Sequence, residues 1–141
     1  DRALAAMPWM VILHIAFIST WVGTLMLVMA LCAEREVGAR GEDESLVQTA
    51  LRLYAWGASS AAALGVLTGS WLAYVRGFDG GWLAAKLVAV SALGWLHIYV
   101  GHLTAQLRDG ICRAQAYYWA ISTLPLAVAL PIFYLVLAKP F

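Results

Sequence analysis

The sequence predicts an all-α fold, a four-helix bundle that spans a lipid bilayer. Three observations carry that prediction. First, 63% of the 141 residues are hydrophobic and only 12% are charged, about half the charged share with which soluble domains cover their surface. Second, mean hydropathy is +0.79. Third, four apolar runs are each long enough for a helix to cross roughly 30 Å of hydrocarbon, which takes about 20 residues. The length suits one transmembrane domain, covering 1–141, and no repeat of solenoid period is visible.

The first run, Met7–Ala33, is too long for the apolar core of a signal peptide and is read as a permanent span. The second, Val47–Val75, follows the polar segment Glu34–Ser45, in which Asp43 and Ser45 are natural N-caps. The third, Trp82–Leu107, follows a short turn at Arg76–Gly81. The fourth, Ala116–Ala138, follows a turn at Arg108–Arg113 and contains Pro125 and Pro131, each of which removes a backbone donor and should bend it. None of the runs alternates with period two, and lipid demands that backbone polar groups be satisfied within the segment, so helices are selected. The topology is up-down-up-down with both termini on one side.

Aromatic residues mark the interfaces. Trp9, Trp71, Tyr74, Trp82 and Tyr134 fall near one, and Tyr54, Trp56, Tyr117, Tyr118 and Trp119 near the other. Arg35, Arg40, Arg52, Arg108 and Arg113 lie on the side of the first and third connections, against Arg2, Arg76 and Lys139 opposite. That excess orients the connections inward and the termini outward. In the second span Gly57, Ala61, Gly65, Gly69 and Ala73 recur every fourth residue. Such a ridge lets helix backbones approach closely, within the bundle, across a homodimer seam, or around a flat cofactor.

The net charge of +1 supplies no basic surface for nucleic acid, and no phosphate loop, GxSxG elbow, HExxH or paired-carboxylate motif is present. All eight acidic residues lie in loops, tails or helix edges. Apart from Arg52, counted with the first connection, the charged and imidazole side chains within the spans are Lys86, His14, His97 and His102, and such groups are functional-site hypotheses by default. Trp21 follows His14 by seven residues on one face. His97 follows Lys86 by eleven, three turns, so both point the same way, whereas His102 is rotated by about 140°. His14, Lys86 and His97 can therefore face one interior.

Imidazole ligates haem iron, and helix bundles build such sites from inward side chains. Depth argues against a simple bis-histidine pair, because His14 lies about 10 Å and His97 about 22 Å below the shared entry side of their helices. Lys86, closer in depth to His14, can meet an anion such as a propionate, or simply snorkel. The plain alternative for each histidine is a hydrogen bond between helices. Met7 and Met10, on the His14 face, read as core filler. Cys32 and Cys112 lie on the same side without a local CxxC and make a poor metal motif.

These residues resemble the HemJ-type protoporphyrinogen IX oxidases, small bacterial membrane proteins, over nearly the full length. The resemblance is carried by His14-Ile15, Thr20-Trp21, Leu53-Tyr54, Gly69-Ser70-Trp71-Leu72 and Gly81-Trp82-Leu83-Ala84-Ala85-Lys86-Leu87. It continues through His97, Gly101, Pro125 and the terminal Lys139-Pro140-Phe141. It implies a four-helix fold in the bacterial inner membrane, a bound haem b, oxidation of protoporphyrinogen IX to protoporphyrin IX, and electron transfer to the respiratory chain. It also implies axial ligation by His14 and His97 and a substrate or propionate contact at Lys86, with Trp21 beside the cofactor. The departures are equally definite. Val28-Met29-Ala30 replaces the family's Leu-Pro-Arg, Ala58-Ser59-Ser60 its Met-Thr-Pro, Ser122-Thr123 its Asn-Glu, and Ala84 the histidine before the lysine. A tetracarboxylate porphyrinogen calls for cationic partners, so the missing arginine sets a second expectation beside the enzyme. That expectation is a haem b subunit of a larger respiratory or photosynthetic redox complex, or a haem-free structural subunit.

Overall fold

A computed structural model of the chain describes residues 8–34, 42–77 and 81–138. Helix α1 spans Pro8–Ala33, α2 spans Glu42–Arg52, α3 spans Ser59–Arg76, α4 spans Gly81–Arg108 and α5 spans Gln115–Ala138. A π-helical stretch, Leu53–Ala58, joins α2 to α3, so the three pieces form one continuous rod. There are no strands among the described residues. Among the described residues four helical segments are long and apolar enough to cross a membrane: Pro8–Ala33, Ser45–Arg76, Leu83–Arg108 and Gln115–Leu135. The chain is a multi-pass, all-α membrane protein.

The predicted spans and the observed ones differ by a few residues at each end. The second helix begins at Glu42, so Asp43 and Ser45 fall inside its first turn rather than ahead of it. An acidic segment there complements the positive end of the helix dipole, which favours the earlier start. Met7 lies outside the described residues, and α5 runs unbroken through Pro125 and Pro131.

Helix α1 is the central element, packing on every other helix, with α5 and α3 on its two sides. Helix α4 packs on α5, and its far half meets α2. By contrast α3 and α4, although joined by the short connection after Arg76, stand apart. The bundle is therefore closed where α2 meets α4 and open where α3 faces α4, with the π stretch at the change. The core of the closed half holds Leu25, Val28, Met29, Leu93, Val100 and Leu103, all essentially inaccessible.

The small-residue ridge packs within the molecule, against α1. A side chain at Gly57 would meet Thr24, one at Gly65 would meet Ile18, and one at Gly69 would meet the His14 ring. Close packing of this kind replaces the hydrophobic drive that lipid does not supply. The aromatic belts are only partly interfacial. Trp9, Trp71, Tyr74 and Tyr134 are exposed, as are Trp56 and Trp119. Tyr118, however, is buried, where its hydroxyl accepts from the Arg113 amide. Tyr117 turns to the Tyr99 hydroxyl and Tyr54 turns into the bundle. A phenol that finds a partner indoors needs no water, which is why these three leave the belt. Cys32 is buried and Cys112 is exposed in the third connection, and no disulfide joins them.

Candidate functional site

The sequence singles out four ionisable residues within the spans, and the structure distributes them over three places. His14 and Lys86 line one cleft between α3 and α4. His97 sits in a separate hydrogen-bonded cluster with Trp21, on the closed side. His102 is exposed on another face of α4.

The cleft has a volume of about 250 Å³. Its floor is α1, through His14 and Ile18. One wall is α3, where Gly65, Gly69 and Ala73 present almost bare backbone, and the other is α4, through Leu83, Lys86 and Val90. His14 is buried, with 9% of its surface accessible. Its Nδ1 lies 3.0 Å from the Thr68 hydroxyl oxygen. That hydroxyl donates its own hydrogen to the backbone carbonyls of Leu64, at 2.8 Å, and Gly65, at 3.1 Å. A hydroxyl has a single hydrogen to give; with that hydrogen on either carbonyl, Thr68 accepts from His14 and Nδ1 carries the proton. The Nε2 lone pair is then left as the ring's acceptor or ligand atom, oriented by a partner behind it in the manner of metal-bound histidines.

Gly69 makes this arrangement possible. A Cβ there would stand 2.8 Å from His14 Cε1, so any larger residue pushes the ring off Thr68. Lys86, half-buried on the opposite wall, lies within electrostatic reach of both His14 and Arg76, the last residue of α3. The cleft therefore combines an apolar body, one imidazole lone pair and a cationic end.

The second cluster is closed. The indole N–H of Trp21 donates to His97 Nδ1 at 3.1 Å. Indole nitrogen only donates, so Nδ1 is the unprotonated nitrogen and Nε2 bears the proton. Nε2 faces the Ser59 hydroxyl at 3.4 Å, and Ser59 passes its own hydrogen to the Tyr54 carbonyl at 2.9 Å. The Tyr54 ring stacks on His97 at 4.7 Å, and its hydroxyl donates to the His97 carbonyl at 2.9 Å. Gly101 clears the space that the Tyr54 ring occupies. Both ring nitrogens of His97 are thus engaged, and ligation by either requires Trp21 or Ser59 to move. The depth difference anticipated between His14 and His97 separates them into two levels, and Trp21 belongs with His97.

Three participants escaped the sequence reading. Thr68 and Ser59 are polar residues inside an apolar run, a signal that was there to be weighed beside the histidines. Tyr54 falls by position at the interface. Its inward turn depends on the π stretch, which nothing in the local sequence announces.

Among the described residues no group of three or more His, Cys, Asp or Glu forms a metal site. Haem iron asks the protein for only one or two axial ligands. In the cleft the His14 imidazole can supply one axial ligand and Lys86 can meet a carboxylate substituent of an iron porphyrin. No family model, curated protein or solved structure matches the chain.

Proposed function

We propose that the chain is a HemJ-like membrane protein, of the bacterial inner membrane, that binds haem b in the cleft between α3 and α4. The observation that carries this reading is the His14 side chain, which is held by Thr68 through Nδ1 and lines an apolar cleft together with Lys86. His14 supplies an axial ligand, Gly69 gives the imidazole the room to stand on Thr68, and Lys86 pairs with a carboxylate. Bound haem b supplies a one-electron couple. Thr68 fixes the imidazole so that ligation needs no proton rearrangement on the ring. The test is the visible spectrum of the gently solubilised protein, oxidised and reduced. A stoichiometric b-type spectrum that His14→Ala removes is expected, and a protein purified without haem that cannot be reconstituted contradicts the reading.

A second reading, oxidation of protoporphyrinogen IX, is favoured by the cations Lys86 and Arg76 beside the cleft, since the substrate is polyanionic. Against it, the segment Val28-Met29-Ala30, where the family carries its arginine, lies in the core, with Val28 and Met29 fully buried. No cation stands there. Porphyrin fluorescence separates the two: haem-loaded protein that speeds its appearance above autoxidation is an oxidase, and one that does not is a haem-binding subunit.

A further inference from the structure

We infer that the α3–α4 cleft opens sideways into the bilayer, so that its ligand exchanges with the lipid phase rather than with water. The inference rests on the porphyrin reading for the identity of the ligand, but the direction of access comes from the fold. Helices α3 and α4 do not close on each other, and nothing among the described residues of α5 reaches round to bridge them, since α5 packs on α1 and α4. The lips of the gap are Val66 and Ser70 on α3 and Leu87 on α4. Val66 is 49% exposed and Leu87 is 57% exposed. Both belong to membrane-crossing segments, so the surface they present is at hydrocarbon level.

The length and polarity of the gap define what can enter. It runs along α3 from Ala73 to Gly65, eight residues and about 12 Å at 1.5 Å per residue. One end lies beside the interface marked by Arg76 and Trp71. The other lies about 16 Å below Arg76 at the same rise, near the bilayer midplane. Cations sit only at the interfacial end, where Lys86 and Arg76 lie within electrostatic reach of each other. The inner end is lined by Gly65, Val66, Ile18 and Val90. A ligand complementary to this gradient is a flat, membrane-dissolved molecule that carries its carboxylates at one edge, anchored at the leaflet on the side of the chain termini. It slides in edge-on between the lips, with its apolar edge towards the midplane. An aqueous ligand would have to shed its hydration in hydrocarbon before reaching His14, a cost of several kcal/mol for an unpaired ion.

The experiment uses the full chain reconstituted in phosphatidylcholine vesicles with zinc protoporphyrin IX, a fluorescent ring whose metal accepts one axial imidazole, as the probe. The specific pool is the saturable fluorescence lost in His14→Ala or displaced by excess haem, so a poorly folding variant does not block the measurement. Vesicles made with lipids brominated in the acyl chain should quench most of that pool, while iodide in the water leaves it unchanged. Quenching by iodide without quenching by bromolipid overturns lateral access and leaves the binding site standing. Absence of any saturable pool overturns the porphyrin reading, and the inference with it.

Discussion

Two levels of one bundle make opposite use of a histidine. At the level of His97, the second span lies against α4, Trp21 and Ser59 engage the two ring nitrogens of the imidazole, and Tyr54 stacks on the ring and bonds the His97 carbonyl. At the level of His14, two turns away along α1, α3 has left α4 and the ring is held by Thr68 through Nδ1. The same residue type is thus a structural tie where the helices meet and an available ligand where they part. What decides between the roles is the number of partners around the ring, which follows from whether the fourth helix is in contact. Burial does not decide it, since the better-buried ring is the available one: His14 is buried and His97 half-buried.

The largest expected effect comes from breaking the closed level. Trp21→Ala removes a nearly inaccessible indole and leaves His97 Nδ1 without its donor. It should lower stability by about 3–5 kcal/mol, read as unfolding in mixed detergent and sodium dodecyl sulfate micelles. A loss below about 1 kcal/mol removes the distinction between a structural and an available level.

The next effect belongs to the open level. Thr68→Val keeps shape but leaves the Nδ1 proton of His14 unpartnered, and should weaken haem affinity by about 10–100-fold. Thr68→Ser should restore it, because the hydroxyl and not the methyl group carries the role. An unchanged affinity in the valine variant shows that the imidazole is not oriented from behind. A smaller change follows from Lys86→Met, which removes the charge but keeps the stem. Affinity for haem should fall about tenfold, the loss of one charge-assisted contact, and haem dimethyl ester should bind both forms alike. If the ester discriminates between them as haem does, Lys86 meets something other than a carboxylate.

How far these two levels are legible in the sequence differs. The four spans follow from hydropathy alone and fall within a few residues of the observed ones, because lipid leaves the backbone one choice. The pairing of His14 with Lys86 is also legible, from their similar depth. The separation of His97 shows as a depth mismatch of about 12 Å, which the structure turns into two distinct environments. The π stretch at Leu53–Ala58 is not legible. Its wider turn, closed by the Ser59 amide on the Tyr54 carbonyl, contains Tyr54, an interfacial phenol by its place in the sequence, which here reaches the His97 carbonyl, and it rephases the side chains that follow. Periodicity assumes one uniform helix, and the site is built where that assumption fails.

The smallest expected effect sharpens the reading of the ridge. Gly57→Ala places a methyl group 3.2 Å from Thr24 Cγ2, on the closed side and away from the cleft. It should change stability by no more than about 0.5 kcal/mol and leave the haem spectrum untouched. Gly69→Ala, one chemical step from it, should displace His14 and lose the spectrum. Equal behaviour of the two variants reduces the ridge to packing throughout.

The central claim is that His14 is the available imidazole and His97 the closed one. The most direct measurement is the reduced-minus-oxidised spectrum of three forms purified side by side: the unaltered chain, His14→Ala and His97→Gln, the last able to keep hydrogen bonds to Trp21 and Ser59. A b-type spectrum present in the unaltered chain, lost in His14→Ala and retained in His97→Gln is the predicted result. A spectrum that survives in His14→Ala and disappears in His97→Gln contradicts it.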